Sequence, residues 1–314
     1  MAPRISLCVD GATDVGNRRQ DNEDAWWAGL PDGEHFFMLP GPAPLNLQSG
    51  TAPVLLVVSD GVGGSNAGEV ASRTAILAIS EELGRAAASM VDADAADAAV
   101  LAAIHAADTA VKVRGSERGF EGMGATLSLL CIGAGTALWG QAGDSRIYVC
   151  RRGKLRQISR DHSPVGRMRQ RGEITEAEAR RHPSRNQIDQ SLGNNEAEFL
   201  PEVGSEEVHP GDVFLVCSDG LSDGLWDSEI EVLLGAVHAP RDVRPAVQQM
   251  VAAAKKASGR DNITAVVALA WVGMVPDAAP AAKASLWSRI FHRQRTLASP
   301  PGRPQGAGRE EPAP

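Results

Sequence analysis

Aspartates that follow short apolar runs or glycine turns are the feature that most constrains this chain. Four of them share such a position: Asp60, Asp144, Asp219 and Asp261. The apolar runs 54–59 and 213–218 have the length and the valine and leucine content of buried strands. The fold must therefore bring charged side chains to strand ends. Carboxylates gathered there provide the oxygen ligands that Mg²⁺ and Mn²⁺ prefer. Zn²⁺ and Cu²⁺ are more often bound by Cys and His side chains.

Taken singly, an Asp-Gly pair is more typical of a turn than of a ligand, so the hypothesis depends on the joint pattern. Glycine directly after Asp60 and Asp219 allows the backbone to approach a ligand closely. The polar segment before the strand-like residues 25–27 adds two further acids. We therefore predict a pair of divalent cations held by oxygen ligands from one group of acids: Glu23, Asp24, Asp60, Asp219 and Asp261.

Composition excludes several classes of protein. A hydrophobic content of 43% over 314 residues supports a substantial core. The formal net charge of -8 argues against a nucleic-acid partner, because phosphates attract a basic surface. No apolar stretch is long enough to span a membrane, and the N-terminal residues lack the pattern of a signal peptide, so we expect a cytoplasmic protein. Four scattered cysteines are interpreted as buried thiols.

Periodicity divides the chain into a catalytic-size domain at 1–275 and an Ala-, Pro- and Arg-rich tail at 276–314, which we expect to be disordered. Helical spacing from Glu69 onward is followed by consecutive short strands, and this order favours an α+β fold. Residues 29–53 are interpreted as an exposed loop. The polar residues 161–195 are interpreted as a flap over a site.

Six segments, in this order, carry a family resemblance: Arg19–Ala25, Ser59–Gly64, Gly124–Thr126, Gly143–Arg146, Ser218–Leu221 and Gly259–Thr264. Over about residues 6–271 the chain closely resembles the metal-dependent serine/threonine phosphatases of the protein phosphatase 2C type, and residues 161–163 and 171–174 are similar to the bacterial members. The resemblance implies a two-sheet antiparallel β-sandwich flanked by antiparallel helix pairs. It also implies a metal centre at one end of the sandwich, between the sheets.

Residue by residue, the resemblance implies the following roles in that centre. Asp60 would bridge two Mg²⁺ or Mn²⁺ ions, with Asp219 and Asp261 on the first ion. Glu23 and the carbonyl oxygen of Gly61 would lie near the second ion. The ions would activate a water that attacks phosphorus directly, without a phosphoenzyme.

Three further residues have alternatives that the sequence leaves open. Asp24 would act through water or as a hydrogen-bond acceptor behind the ligands. Asp144 would hold a third, weaker ion with Asp219, although its Gly-Asp-Ser-Arg turn is equally typical of a hairpin. Arg19 would hold the substrate phosphate through its fork of donors, and a surface salt bridge is the alternative.

The chain departs from the family pattern at two points. Val62 occupies the position at which the animal members have a histidine thought to protonate the leaving group. His162 is the nearest candidate for that acid, but we prefer a structural role for it at the start of the flap. Ala125 removes one hydroxyl in a strand expected to lie behind the site, which activity should tolerate.

The resemblance implies Mg²⁺- or Mn²⁺-dependent hydrolysis of phosphoserine and phosphothreonine in proteins, opposing a bacterial serine/threonine kinase. The partner would be a phosphorylated protein, and we expect a monomer. One alternative is a pseudophosphatase or phosphoprotein-binding signalling module; the other is a small-molecule phosphohydrolase. The flap is locally basic, which favours an acidic or phosphorylated segment as substrate, although a solvated helix face is equally compatible with that composition.

Overall fold

The computed structural model describes residues 5–32, 35–38, 43–47, 53–62, 67–87, 90, 93–133, 135–194 and 198–272. The predicted tail at 276–314 lies outside these residues.

Thirteen strands and seven helices are formed by the described residues. The strands are β1 (Ile5–Asp14), β2 (Asp24–Asp32), β3 (His35–Met38), β4 (Ala43–Leu47), β5 (Val54–Val62), β6 (Gly124–Ala125), β7 (Leu127–Ile132), β8 (Thr136–Ala142), β9 (Arg146–Arg151), β10 (Lys154–Gln157), β11 (Glu202–Glu207), β12 (Val213–Cys217) and β13 (Ile263–Val272). The helices are α1 (Ala67–Ala86), α2 (Ala93–Gly115), α3 (Pro164–Gln170), α4 (Glu176–Ala179), α5 (Asp219–Gly224), α6 (Asp227–Gly235) and α7 (Pro240–Ala257).

The strands form two antiparallel sheets. In the first sheet the order is β10-β9-β12-β13-β1-β4. In the second sheet the order is β11-β8-β7-β5-β2-β3, with β6 paired to β5. This arrangement confirms the predicted α+β fold with a two-sheet antiparallel sandwich.

Three apolar layers hold the sandwich together. One lies between the second sheet and helices α1 and α2, one lies between the two sheets, and one lies between the first sheet and helices α5 to α7. Strand alternation explains the continuous apolar runs: Leu55 and Val57 face α1 and α2, whereas Leu56 and Val58 face the other sheet. A strand buried on both faces has no polar side, so its sequence does not alternate.

The prediction of an exposed loop over 29–53 is wrong for the described part of that segment. There β2 continues to Asp32, β3 extends it as a hairpin, and β4 pairs with β1. β3 and β4 are edge strands of the two sheets, and backbone pairing to β2 and β1 defines them more than local alternation does. Among the described residues between β10 and β11, the structure forms two short helices, α3 and α4. The role of this segment as a flap stays a prediction.

No helix among the described residues is long and apolar enough to cross a bilayer. Cys8, Cys131, Cys150 and Cys217 are buried free thiols, as the sequence predicts.

The packing of α2 against the second sheet gives a test of the fold. Ile104 is fully buried, whereas Leu101 on the same helix is 37% exposed. We expect Ile104→Ala to lower the free energy of unfolding by about 2–5 kcal/mol, because it removes buried contacts and leaves a cavity. Leu101→Ala is the matched control and should change it by less than about 1 kcal/mol. Urea denaturation of both variants measures the difference, and equal losses would contradict the assigned packing.

Candidate metal centre

Two aspartates on neighbouring strands lie at the centre of the site. Asp24 begins β2 and pairs directly with Asp60 of β5, so both belong to the second sheet. The Oδ2 atom of Asp24 accepts hydrogen bonds from Ser218 Oγ and Thr264 Oγ1, each at 2.7 Å. Thr264 lies in β13 and Ser218 directly follows β12, both in the first sheet. Asp24 therefore joins the two sheets at this end of the sandwich.

Asn262 fixes the acidic loop between β1 and β2. Its Oδ1 atom accepts a hydrogen bond from the Glu23 main-chain N–H at 2.8 Å. Its Nδ2 atom donates to the carbonyl oxygens of Val15 and Asp21, each at 3.0 Å. The residue is only 2% exposed, so water competes little for these bonds. Sequence analysis gave Asn262 no role, although it directly follows the predicted ligand Asp261.

Arg19 lies at the rim of the site between two acids. Its Nη2 atom donates to Asp261 Oδ2 at 2.8 Å, and its Nη1 atom lies 3.6 Å from Glu23 Oε2. The hydrogen bond to Asp261 raises the pKa of the guanidinium, so Arg19 stays cationic. Its side chain is 47% exposed. Arg19 thus forms a salt bridge, but the bridge is made to acids of the candidate site itself.

Glu23 and the Gly61 carbonyl meet beside a glycine of α1. A Cβ atom added to Gly68 would lie 2.4 Å from Glu23 Oε1 and 3.0 Å from the Gly61 oxygen. A Cβ atom added to Gly61 would lie 2.1 Å from the Gly68 oxygen. Only glycine permits this approach of the two backbones. Both oxygens predicted for the second ion therefore lie against the same residue.

The junction of β12 and α5 brings Asp219 towards Asp261. Asp219 is the first residue of α5, one residue after the end of β12. A Cβ atom added to Gly220 would lie only 2.0 Å from the carbonyl oxygen of Asn262. Because the two backbones touch at this point, the acids that precede Gly220 and Asn262 are held near each other.

Thr126 connects the turn that carries Asp144 with Asp60. Its Oγ1 atom accepts a hydrogen bond from the Asp60 main-chain N–H at 3.0 Å and lies 2.7 Å from Ser145 Oγ. Gly143 has a φ of +103°, and a Cβ atom added there would lie 2.7 Å from the Thr126 side chain. The hydroxyl retained at Thr126 therefore directly supports the site.

Burial and mutual repulsion make the clustered carboxylates hard to ionise. Burial raises the pKa of Asp60 and Asp219 well above the usual range, and neighbouring carboxylates raise both further. Burial also raises the pKa of Asp144 to about 7, with a further contribution from Asp161. The pKa of Asp24 rises to about 6 by burial, although the two hydroxyl donors oppose that rise. A bound cation would remove this penalty.

The donor set fits hard divalent cations. Asp24 Oδ1 and Asp219 Oδ1 are buried without a hydrogen-bond partner, which is costly for an oxygen atom unless a ligand satisfies it. Within the described part of the chain, no three Asp, Glu, His or Cys side chains are close enough to complete a coordination shell by themselves. The buried donors are carboxylate oxygens, which are ligands that Mg²⁺ and Mn²⁺ prefer, whereas Zn²⁺ sites use mainly Cys and His.

A narrow cleft, open to solvent, separates the flap from the acidic cluster. Asp144, Asp219 and Asp223 line one side, and flap residues that include Arg180 and Arg185 line the other. Four flap arginines form ion pairs with carboxylates: Arg167, Arg169, Arg171 and Arg180. The flap is therefore less basic than its composition suggests.

The structure brings all eight predicted site residues to this end of the sandwich: Arg19, Glu23, Asp24, Asp60, Gly61, Asp144, Asp219 and Asp261. Their roles as ligands stay predictions. His162 donates its main-chain N–H to the Gly143 oxygen, and its Nε2 atom lies 3.8 Å from Glu202 Oε2. Its side chain is 13% exposed, which favours the structural role over proton donation to a substrate.

The raised pKa of Asp144 gives a test in EDTA, without bound cation. A carboxyl whose pKa is raised on folding stabilises the protein only at low pH, and that stability is lost as pH rises through about 7. We therefore expect Asp144→Asn to be more stable than the parent at pH 8, with a smaller difference at pH 5. Thermal unfolding at both pH values measures this. Asp97→Asn, an exposed change on α2, is the control; a pH-independent difference for Asp144→Asn would contradict the assignment.

Comparison with known proteins extends these observations. The family model described as "Protein phosphatase 2C" matches residues 46–268. The serine/threonine protein phosphatase PstP of Mycobacterium tuberculosis is 36% identical over 272 residues, covering 84% of this chain. That alignment covers 46% of the relative, so the chain spans about half of its length. Protein phosphatase PhpP of Streptococcus pneumoniae is 30% identical over 80% of this chain and 93% of its own length.

A solved structure supports the same conclusion. The catalytic domain of PstP, described as a complex with two manganese ions, superposes with a TM-score of 0.67 at 30% identity. The match covers 85% of this chain and 99% of that domain. Because the family match spans most of the sandwich and the relatives share its sequence over most of this chain, the chain belongs to the protein phosphatase 2C family.

Proposed function

We propose that this chain hydrolyses phosphoserine and phosphothreonine in proteins, in a reaction that depends on Mg²⁺ or Mn²⁺. The observation that carries the proposal is the convergence of buried carboxylates from both sheets beside an arginine at one end of the sandwich. When bound, such ions activate water and neutralise charge on a phosphoryl group. The relatives of this chain are named as protein phosphatases, and one of them is described with two manganese ions.

We propose core ligands from charge and proximity. Asp60 would be the central ligand, because Asp24, Asp219, Asp144 and Asp261 all lie near enough to raise its pKa. Asp219 and Asp261 would hold one ion. Glu23 and the carbonyl of Gly61, which meet at Gly68, would hold the other.

The remaining acids have supporting roles. Asp24 keeps one oxygen on Ser218 and Thr264, which leaves the other oxygen for a water or an ion. Asp144 and Asp219 both line the cleft, and repulsion from Asp144 raises the pKa of Asp219. This proximity supports a third ion between them that binds more weakly than the core pair.

Arg19 is proposed to orient the substrate phosphate. One guanidinium nitrogen is held by Asp261, which restricts the orientation of the fork, and almost half of the side chain is open to solvent. A guanidinium group held in this way can present its remaining N–H donors to two phosphate oxygens at once.

The free cysteines bear on the cellular setting. Four buried free thiols suit a reducing compartment, so we place the chain in the cytoplasm. We propose a monomer whose residues 1–275 form the catalytic domain, and a serine/threonine kinase as the opposing enzyme. The pseudophosphatase alternative is not favoured, because every predicted acid is present and gathered at the site. The small-molecule alternative is not favoured by the names of the relatives.

Phosphate release from a phosphothreonine peptide tests the proposal directly. We expect release with Mn²⁺, none with EDTA, and a loss on the order of 100-fold or more in kcat for Asp219→Asn, because the substitution removes a charged ligand. Calorimetric titration of Mn²⁺ shows whether the variant has lost the ion. Asp97→Asn is the control. Metal binding without release from any phosphopeptide would reject the protein phosphatase assignment.

Arg19 can be tested against its neighbour in the chain. Arg18 is also an exposed arginine of the same loop. We expect Arg19→Ala to lower kcat/KM for the peptide by about 100-fold, because two charge-assisted hydrogen bonds to phosphate are lost. Arg18→Ala should stay near the parent value. Steady-state kinetics at saturating Mn²⁺ separates the two, and equal losses would show that Arg19 contributes only general positive charge.

A further inference from the structure

The helical part of the flap makes few apolar contacts with the rest of the chain. Helix α3 buries only Val165, and helix α4 buries no residue. By backbone proximity, these two helices lie chiefly against each other. The C-terminal part of the flap is anchored separately, because Leu192 is fully buried and bridges to Ala125. Since apolar burial does little to fix α3 and α4, polar contacts must hold these two helices in place.

Arg180 makes the densest of these contacts. Its guanidinium donates to the carbonyl oxygens of Ser222 at 2.6 Å, Asp223 at 2.9 Å and Leu225 at 2.5 Å. These carbonyls belong to the C-terminal end of α5 and the residue after it, where a helix leaves acceptors without intrahelical partners. The guanidinium also lies 4.2 Å from the centre of the Trp226 ring.

Two further flap residues reach the same region. Glu176 Oε1 accepts from Arg180 Nη2 at 2.8 Å and from the Asp227 main-chain N–H at 3.2 Å. Arg169 forms an ion pair with Asp227. We call Arg169, Glu176 and Arg180 the flap latch. All three act on the segment that joins α5 to α6.

That segment is firmly attached to the sandwich. A Cβ atom added to Gly224 would lie 2.6 Å from the Ala254 Cα atom, so α5 packs backbone to backbone against α7. The same helix begins at Asp219. The latch therefore fixes the flap relative to the helix that presents a predicted metal ligand, and the cleft lies between them.

We propose that Arg180 is a positioning residue that holds the flap as a preformed wall of the cleft and thereby sets the affinity for phosphoprotein segments. This proposal rests on the proposed phosphatase function. Arg180 does not bind the phosphate itself, because its Nε and both Nη atoms already donate to the latch partners and its side chain is only 18% exposed. Protein substrates that extend along the flap depend on the latch, whereas a small phosphate ester does not.

The test compares two substrates and the motion of the flap. In Arg180→Ala we expect faster hydrogen exchange over residues 164–190. We also expect KM for a phosphothreonine peptide to be higher by about tenfold, because the peptide must then order the flap when it binds. For para-nitrophenyl phosphate, kcat/KM should stay within about twofold. Arg180→Lys keeps the positive charge, but an ammonium group lacks the planar set of donors that contacts three carbonyl oxygens. This variant should therefore show the same changes at smaller size. It also decides the matter if Arg180→Ala does not fold.

Arg171→Ala is the matched control. Arg171 pairs with Glu173 inside the flap and is 56% exposed, so its loss removes a flap arginine without touching the latch. The proposal is overturned if the Arg180 variants show the same hydrogen-exchange rates and the same peptide KM as this control. Equal losses on both substrates, through kcat, would overturn it as well. If the parent protein hydrolyses neither substrate, the proposed phosphatase function is rejected. If the parent protein is active and Arg180→Ala has the same KM and hydrogen exchange, only the role of Arg180 is rejected.

Discussion

Buried like charge at one end of the sandwich is the constraint on which the rest of the structure depends. Asp60, Asp144 and Asp219 are held where burial and their neighbours oppose ionisation. A protein keeps such an arrangement only if a cation compensates it or if a large surrounding fold tolerates it. Here three apolar layers supply the tolerance. Apolar packing in the layers stabilises the fold, and the clustered carboxylates destabilise it locally.

Neutral hydrogen-bonding groups convert this charge into a defined geometry. Ser218 and Thr264 hold Asp24 from the opposite sheet, Thr126 holds the backbone of Asp60, and Asn262 holds the acidic loop. Donors without charge fix a carboxylate or its backbone without neutralising it, which leaves the negative potential available to a cation. Positively charged partners in their place would stabilise the carboxylates but compete with metal. Two arginines lie near the acids: Arg146 is held by Asp161, and Arg19 lies at the exposed rim.

The sequence predicts the parts of this architecture that depend on local chemistry. Apolar runs that end in aspartate predict both the buried strands and the acids at their ends, because both features can be recognised within one short segment of sequence. The edge strands β3 and β4 are not predicted, since their pairing depends on backbone partners elsewhere in the chain. Asn262 is missed for a related reason: its partners lie more than 200 positions away in the sequence. A buried amide beside a predicted ligand is the signal that would have found it.

The core and the flap are fixed by different forces, and this difference bears on how the family can vary. The candidate metal centre depends on the packing of both sheets, so a change there disturbs stability and the site together. Helices α3 and α4 of the flap are attached by the charged side chains of Arg169, Glu176 and Arg180 to the segment that joins α5 to α6. Such contacts can be replaced by a few substitutions at little loss of core packing. A protein of this construction can therefore change the surface of the flap that lines the cleft while the clustered carboxylates stay in place.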